Sequence, residues 1–167
     1  MNKKINFLFL FLTLSSFAQT SWKSKKYNYK IEIPKEFTIS ESTGINVDFK
    51  ANKGKNSVVI VIKKFPKKYE NNSIWEILGN LETYGKDWEL GAKEYMNSPK
   101  FIKYGKTTIN GNQAFWYDYT TENPKFYSKT YQVKKGSVLY TFTLTCEFTN
   151  ASQYSAVWYR FKEKIEL

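Results

Sequence analysis

Two residue types limit the chemistry open to this chain. Histidine is absent and Cys146 is the single cysteine, which excludes intramolecular disulfides, His/Cys zinc sites, Ser-His and Cys-His nucleophile pairs and haem attachment. Acid–base chemistry would therefore fall to carboxylates acting in pairs, as in glycoside hydrolysis. Asp118 with Glu122 and Glu82 with Asp87 are the candidate pairs. Nothing around them indicates a perturbed environment, so we predict no catalytic residue and a protein that is not an enzyme.

Metal and cofactor binding are not indicated either. The sequence has no Asp-x-Asp-x-Asp-Gly spacing of the kind that forms a calcium loop, and we predict no metal site and no cofactor. Two alternatives stay open. One is a hydrolase or lyase that uses carboxylate, Tyr and Lys groups alone. The other is a carrier that holds an apolar ligand in a cavity of about 300 Å³ or more inside an aromatic core.

An aromatic run is the feature best suited to binding a partner. Trp116, Tyr117 and Tyr119 follow Phe115 in a segment that reads as a β-strand, so Trp116 lies on one face and the other three rings share the opposite face. Trp and Tyr are frequent hot spots of protein interfaces, and we predict Trp116, Tyr117 and Tyr119 as partner contacts. The alternative, favoured by the apolar strands nearby, is that helices cover both faces and the rings are core.

Lysines provide a second candidate contact patch. The chain has 26 basic residues against 15 acidic ones, for a net charge of +11. Lys63, Lys64, Lys67 and Lys68 bracket a Phe-Pro pair that breaks regular structure and places them on an exposed loop. Such a patch attracts anionic partners, and we predict an envelope or extracellular protein or an anionic glycolipid surface. The alternative is a plain solvated surface.

The first residues predict export. Two lysines precede an apolar run over residues 5–14, and small residues lead to Ala18, which is the pattern of a signal peptide cleaved between Ala18 and Gln19. The run is shorter than the roughly 20 residues that span a bilayer. We predict a signal peptide over 1–18, a single domain over 19–167 without a transmembrane segment, and a secreted or periplasmic location. Export argues against nucleic acid as a partner.

The remaining pattern predicts mostly strands. Alternating apolar residues indicate a strand over 27–33, and a turn-rich segment joins two further strands over 45–51 and 57–63 into a hairpin. The run 58–62 is apolar at every position, which predicts a central strand covered on both faces. Two more hairpins are predicted by their turn residues, one with strands over 101–109 and 113–121, the other with strands over 126–134 and 137–147.

Two helices complete the predicted order of elements. Ser73 and Glu76 have the spacing of a capping box, and apolar residues at steps of three or four continue the helix to Trp88. A last helix follows Thr149 or Asn150 and keeps helical spacing to residue 165. Helices packed on an antiparallel sheet define an α+β fold.

The pattern of strands, turns and aromatic positions resembles the PsbP-like superfamily over residues 27–167, nearly all of the predicted mature chain. It is carried by the segments YNYKIEIPKEF, INVDF, NSVVIVIKKFP, TTINGNQAFWYDYT, KFYSKTYQVKKGSVLYTFTLTC and RFKEKIEL. The resemblance implies an antiparallel sheet sandwiched by helices, and a function of binding or scaffolding without a catalytic centre. It transfers no functional residue, because the metal-binding histidines of the plant members are absent here. We therefore predict an exported, non-catalytic binding or scaffolding protein that acts on a macromolecular partner in the cell envelope.

Overall fold

A computed structural model describes residues 19–41 and 44–167. The predicted signal peptide, with Ala18 at its cleavage site, lies outside the described residues. The strands and helices of the described residues are β1 Gln19–Lys23, β2 Lys30–Pro34, β3 Thr38–Ile39, β4 Val47–Lys53, β5 Asn56–Lys64, α1 Ile74–Leu78, α2 Tyr84–Ala92, β6 Lys100–Ile109, β7 Asn112–Thr121, β8 Phe126–Lys135, β9 Val138–Glu147 and α3 Ala151–Glu163.

An antiparallel sheet of seven strands forms the centre of the molecule, in the order β3-β4-β5-β9-β8-β7-β6. The predicted hairpins β4–β5, β6–β7 and β8–β9 are all present, with register pairs that run close to each turn. At the β6–β7 turn Asn110 and Gly111 have φ of 49° and 75°, as the Asn-Gly pair predicts. β1 and β2 form a separate two-stranded ribbon. The α+β prediction is confirmed.

The first face of the sheet is covered by α3 and the β1–β2 ribbon. Ile31 and Ile33 of the ribbon, with Trp158 and Phe161 of α3, are buried against a row of β9 side chains that ends at Cys146. The Trp158 ring stacks on Tyr127 with centroids 5.2 Å apart. Cys146 is fully buried, which confirms its prediction as a core residue.

The second face is covered by α1 and α2 over one half of the sheet. The predicted capping box at the start of α1 is confirmed, since the Ser73 hydroxyl accepts from the Glu76 amide and the Glu76 carboxylate accepts from the Ser73 amide. α2 approaches β6 closely because Gly85 has no side chain, and a Cβ there would meet the Phe101 ring at 2.8 Å.

Three sequence predictions need correction. One helix from residue 73 to Trp88 is wrong: the chain breaks at Gly79, with φ of 61° and ψ of −131°, a conformation that L side chains strongly disfavour. The strand predicted over 27–33 begins at Lys30, because the Ser24 hydroxyl accepts the Tyr27 amide and holds residues 24–27 in a turn. β5 is not covered on both faces, since Val59 is half-buried on the side that the helices leave open.

Candidate functional site

Tyr117 and Tyr119 lie inside the protein, on the second face of the sheet. Each is 7% exposed, and the Trp88 ring of α2 packs on both, with centroids at 5.7 and 4.7 Å. Burial raises the pKa of both hydroxyls because the phenolate form would lose its hydration. A partner could reach Tyr117 only if the covering helices moved, whereas an edge of Tyr119 lines a cavity of about 340 Å³ beside Ser128 and Thr145.

Trp116 lies on the first face, as the alternation along the strand predicts. Its indole lies across Gly105 of the neighbouring strand, where a Cβ would meet the ring nitrogen at 2.7 Å. The Lys129 ammonium lies 4.1 Å from the centre of the Trp116 ring, and that of Lys103 lies 6.0 Å away. The half-buried Trp116 is therefore an aromatic surface with two cations beside it.

Asp118 is a buried carboxylate, 1% exposed, next to Trp116 on the same face. Its two oxygens accept from the Lys129 ammonium at 2.6 Å and from the Tyr127 hydroxyl, and Lys103 lies 3.6 Å away. Burial lowers the pKa of Lys129, and the Asp118 carboxylate opposes that lowering. The negative charge of Asp118 is thus balanced by the Lys129 and Lys103 ammonium groups and by the Tyr127 hydroxyl. A buried ion pair needs such additional partners, because burial removes the hydration of both charges.

The candidate carboxylate pairs do not form a two-acid centre in the described residues. Glu122 lies in the β7–β8 turn, is exposed and pairs with Lys125 at 3.2 Å, whereas Asp118 is bound to lysine and tyrosine. Glu82 and Asp87 are exposed on and before α2. Residues 19–41 and 44–167 hold no group of three or more acidic or cysteine side chains that could bind a metal ion.

Lysines gather at one end of the sheet, which we call the lysine end. It comprises Lys63 and Lys64 at the end of β5, Lys67 and Lys68 in the following 3-10 turn, and Lys134 and Lys135 at the end of β8. Lys134 is buried and donates to the Glu70 carbonyl at 2.8 Å. The other five are exposed. Sequence reasoning found four of them and missed the β8 pair, which the β8–β9 turn brings alongside.

The opposite end of the sheet is also rich in lysine, but its lysines are paired. Lys55 contacts Glu147 at 2.6 Å, Lys53 contacts Glu36 at 3.5 Å, and Lys125 contacts Glu122 at 3.2 Å. No carboxylate of the described residues lies within 4.0 Å of any lysine of the lysine end. Within the part of the chain that the structure describes, the five exposed lysines of this end are thus without an ion pair, while the Glu76 carboxylate interacts electrostatically with the buried Lys134.

Cavities lie elsewhere on the surface. A groove of about 260 Å³ between α3 and the β1–β2 ribbon is lined by Tyr154, Val157 and Phe161. Two larger cavities, of about 480 and 570 Å³, flank the outer strand β6 near Ile102. Sequence reasoning did not find the β6 cavities, because they depend on which strand lies at the edge of the sheet.

Comparison with known proteins identifies the fold. No protein-family model and no curated protein matches the sequence. The structure is similar to that of cyanobacterial PsbP from Synechocystis, with a TM-score of 0.72, 11% identity, and coverage of 93% of this chain and 95% of that one. It is also similar to LpqN of Mycobacterium tuberculosis, described as involved in cell envelope biogenesis, with a TM-score of 0.57, 8% identity and 89% coverage of both chains.

The chain therefore has the PsbP-like fold, which confirms the resemblance seen in its sequence. At these identities the likeness concerns the fold alone. No helix in the described part of the chain is long and apolar enough to cross a membrane.

Proposed function

We propose that this chain is an exported, non-catalytic binding or scaffolding protein of the cell envelope, and that its lysine end holds it against an anionic envelope surface such as glycolipid headgroups. The PsbP-like fold and the description of LpqN as an envelope biogenesis protein support an envelope role. The sequence supports export through its predicted signal peptide. The described acids support the absence of catalysis, since the one buried carboxylate, Asp118, is occupied by an ion pair.

The five exposed lysines of the lysine end, which form no ion pair among the described residues, carry the proposal. Unpaired lysines on one side of a molecule create a local positive potential, whereas the paired lysines of the opposite end nearly cancel. The lysines of the lysine end lie on or beside two short, ordered connections, the 3-10 turn Lys67–Tyr69 and the β8–β9 turn, which fix their positions. An anionic surface would therefore meet the lysine end first and orient the molecule.

The chemistry of lysine favours a diffuse anionic surface over a fixed acidic pocket. The lysine end contains no arginine, the residue whose rigid guanidinium fork suits bidentate recognition of a single carboxylate or phosphate. Lysine ammonium groups act as hydrated point charges on flexible stems, which adapt to headgroups at variable positions. Binding of this kind weakens as salt screens the charges.

The test is sedimentation of residues 19–167 with vesicles of phosphatidylcholine containing lipopolysaccharide. In the test variant, Lys63, Lys64, Lys67 and Lys68 are all changed to Gln. The matched control removes the same number of charges from lysines that are paired, at Lys30, Lys53, Lys55 and Lys125.

We expect the test variant to lose at least tenfold in vesicle affinity at about 0.1 M salt, and the control to lose less than threefold, because the Debye length there is about 10 Å. Equal losses in the two variants would show that net charge alone acts, and would overturn the assignment to the lysine end. Binding by the unaltered chain that survives about 0.5 M salt would exclude an electrostatic contact.

A further inference from the structure

β6 forms an open edge of the sheet. It pairs with β7 on one side, and no strand of the described residues pairs with its other side. The opposite edge is the two-residue strand β3, whereas β6 has ten residues. The Phe101 amide near the start of this strand donates to the Glu89 carboxylate at 2.7 Å, whereas further along the Ile102 and Tyr104 side chains are 45% and 40% exposed. A long edge strand leaves unpaired amide and carbonyl groups that can receive another strand.

The C-terminal part of β6, residues 103–109, is regular. A bulge falls between Phe101 and Lys103, where Ile102 has no partner on β7, and pairing is continuous from Lys103 to Ile109. Such a bulge ends the regular ladder at one point only. The segment 103–109 therefore provides a template without bulges for an added strand of the same length.

Cavities lie on both sides of the edge near the bulge. One, of about 480 Å³, lies on the α2 side between Gly85, Glu89 and Tyr104. The other, of about 570 Å³, lies on the opposite side between Thr120, Pro124 and Phe148. Phe101 and Ile102 line both. Successive side chains of a strand point to opposite faces, so neighbouring side chains of an added strand would enter the two cavities in turn.

Charge determines which strand the edge can accept. Lys100, Lys103 and Lys106 lie along β6, and no carboxylate of the described residues lies within 4.0 Å of Lys100 or Lys106. A second copy of β6 would place lysine against lysine, which is unfavourable between opposed strands. An acidic strand would instead pair its carboxylates with Lys100 and Lys106, since Lys103 already lies 3.6 Å from the Asp118 carboxylate. The lysines thus disfavour self-association in that register and favour a partner of opposite charge. Glu82 and Glu89 line the cavity on the α2 side, which favours an apolar rather than an acidic side chain at that one point.

We propose that the β6 edge binds an extended acidic segment of a partner protein by β-strand addition, with apolar side chains of that segment seated in the cavities beside Ile102. Backbone hydrogen bonds to segment 103–109 provide affinity, and the cavities and lysines provide selectivity. This surface is separate from the lysine end, so the inference goes beyond the proposed function. The vesicle experiment and the peptide experiment below can fail independently.

The test uses a fluorescent peptide with the sequence Glu-Val-Glu-Leu-Leu-Glu-Val-Glu-Glu, whose two neighbouring leucines point to opposite faces, measured by anisotropy with residues 19–167. Two further peptides carry N-methyl groups on alternate amides, one on the odd positions and one on the even positions. Only every second amide of an added strand faces the sheet. Methylation therefore blocks pairing in one peptide and leaves the other largely competent, although charge and side chains are the same.

We expect the unmodified peptide to bind, one methylated peptide to lose at least tenfold in affinity, and the other to keep its affinity within threefold. Hydrogen exchange should slow at alternate amides of segment 103–109. Equal binding by all three peptides would show a purely electrostatic contact and overturn the proposal. Failure of the unmodified peptide to bind at about 1 mM, a free energy weaker than about −4 kcal/mol, would overturn it too.

Variants locate the contact on the protein. Changing Lys100 and Lys106 to Glu should weaken peptide binding at least tenfold. The matched control changes Lys53 and Lys164 to Glu, two lysines that lie beside carboxylates away from β6, and should weaken it less than threefold. Circular dichroism of both variants checks the fold. Equal weakening by the two variants would place the peptide away from β6.

Discussion

At the scale of single residues, the absence of a side chain at Gly105 determines where Trp116 lies. The indole occupies the space directly above β6 that any Cβ at residue 105 would enter. In that position its ring receives the Lys129 ammonium, which in turn holds the buried Asp118 carboxylate. The space left by Gly105 therefore positions the Trp116 ring, and through it the Lys129 ammonium and the Asp118 carboxylate.

Gly105→Ala tests this arrangement. We expect the added methyl group to displace the Trp116 ring and destabilise the protein by about 1–3 kcal/mol, in the range typical of overpacked sites. Urea unfolding followed by tryptophan fluorescence measures the change. Gly91→Ala in α2 is the control, because a Cβ there meets nothing within 4 Å. It should stabilise the protein by roughly 0.5–1 kcal/mol through helix propensity. A loss in the control equal to that of Gly105→Ala would contradict the interpretation.

Residue-scale predictions from the sequence succeeded where local alternation was sufficient. The two-residue period placed Trp116 opposite Tyr117 and Tyr119, and it placed Cys146 in the core. It could not tell which face a helix covers, because that depends on contacts between distant segments. Lys134 and Lys135 are identical in type, yet the sheet buries the first against the Glu70 carbonyl and leaves the second in water.

At the scale of elements, α1 shows how a short helix is fixed at its start. It has five residues and too few hydrogen bonds to be stable alone. The reciprocal Ser73 and Glu76 bonds satisfy two free amides, and hydrogen bonds from Ser73 lower the pKa of Glu76. Ile74 and Trp75 then anchor the helix, the latter by an indole bond to the Ala114 carbonyl at 2.9 Å.

Ser73→Ala should therefore loosen α1. We expect a loss of about 1 kcal/mol in the free energy of unfolding, since the hydroxyl is an N-cap acceptor, together with faster hydrogen exchange in the first turn of α1. The control is Ser155→Ala in α3, whose hydroxyl bonds a carbonyl within its own helix. That substitution should leave stability within about 0.5 kcal/mol. An unchanged exchange rate in α1 after Ser73→Ala would argue against the cap.

Elements with strong local signals were predicted well, and those that depend on tertiary contacts were not. The Asn-Gly turn and the capping box each involve residues only a few positions apart, so the sequence alone predicts them. The break at Gly79 and the ribbon strand β1 were missed, because β1 gains its stability from pairing with β2 rather than from its own pattern. The burial of β5 was predicted to be too high, because its run of apolar residues includes Val59 and Val61. These two side chains are only half-buried, on the second face of the sheet, which the helices leave open at β5.

At the scale of the whole molecule, five tyrosines of the described residues are buried in the core beside its isoleucine and phenylalanine side chains. The rings of Tyr29, Tyr131 and Tyr140 lie on the first face, and those of Tyr117 and Tyr119 on the second. Burial raises the pKa of all five hydroxyls. Such a core is apolar while its hydroxyls are protonated, and each proton lost would leave a charge without hydration.

This composition predicts alkaline unfolding. Burial raises the pKa of Cys146 from 9.0 to about 11, and that of Tyr84 from 10.0 to about 12. Groups with a raised pKa in the folded state stabilise it fully below their unfolded values, and this stability is lost as the pH rises through the folded values. We expect the free energy of unfolding to be constant up to pH 9 and to fall from there to pH 12.

Urea titrations between pH 9 and pH 12 measure this fall in the free energy of unfolding. Tyr84→Phe should reduce its slope above pH 10, because one titrating group is removed. Tyr95→Phe is the control, since that ring is exposed, and it should leave the slope unchanged. Equal slopes in all three proteins would show that burial of Tyr84 does not contribute.

The pairing of β5 with β9 has a consequence for the time course of folding. Lys64 pairs with Val138 and Ser57 with Thr145, across all of α1, α2 and β6 to β8. Strands β6 to β9 form a meander of neighbours that can assemble as soon as each is synthesised. The β4–β5 hairpin must wait with one side unpaired until β9 emerges from the ribosome, since contacts this distant in sequence form slowly. We therefore expect the β4–β5 hairpin to keep an unpaired strand edge for longer than the β6–β9 meander during folding.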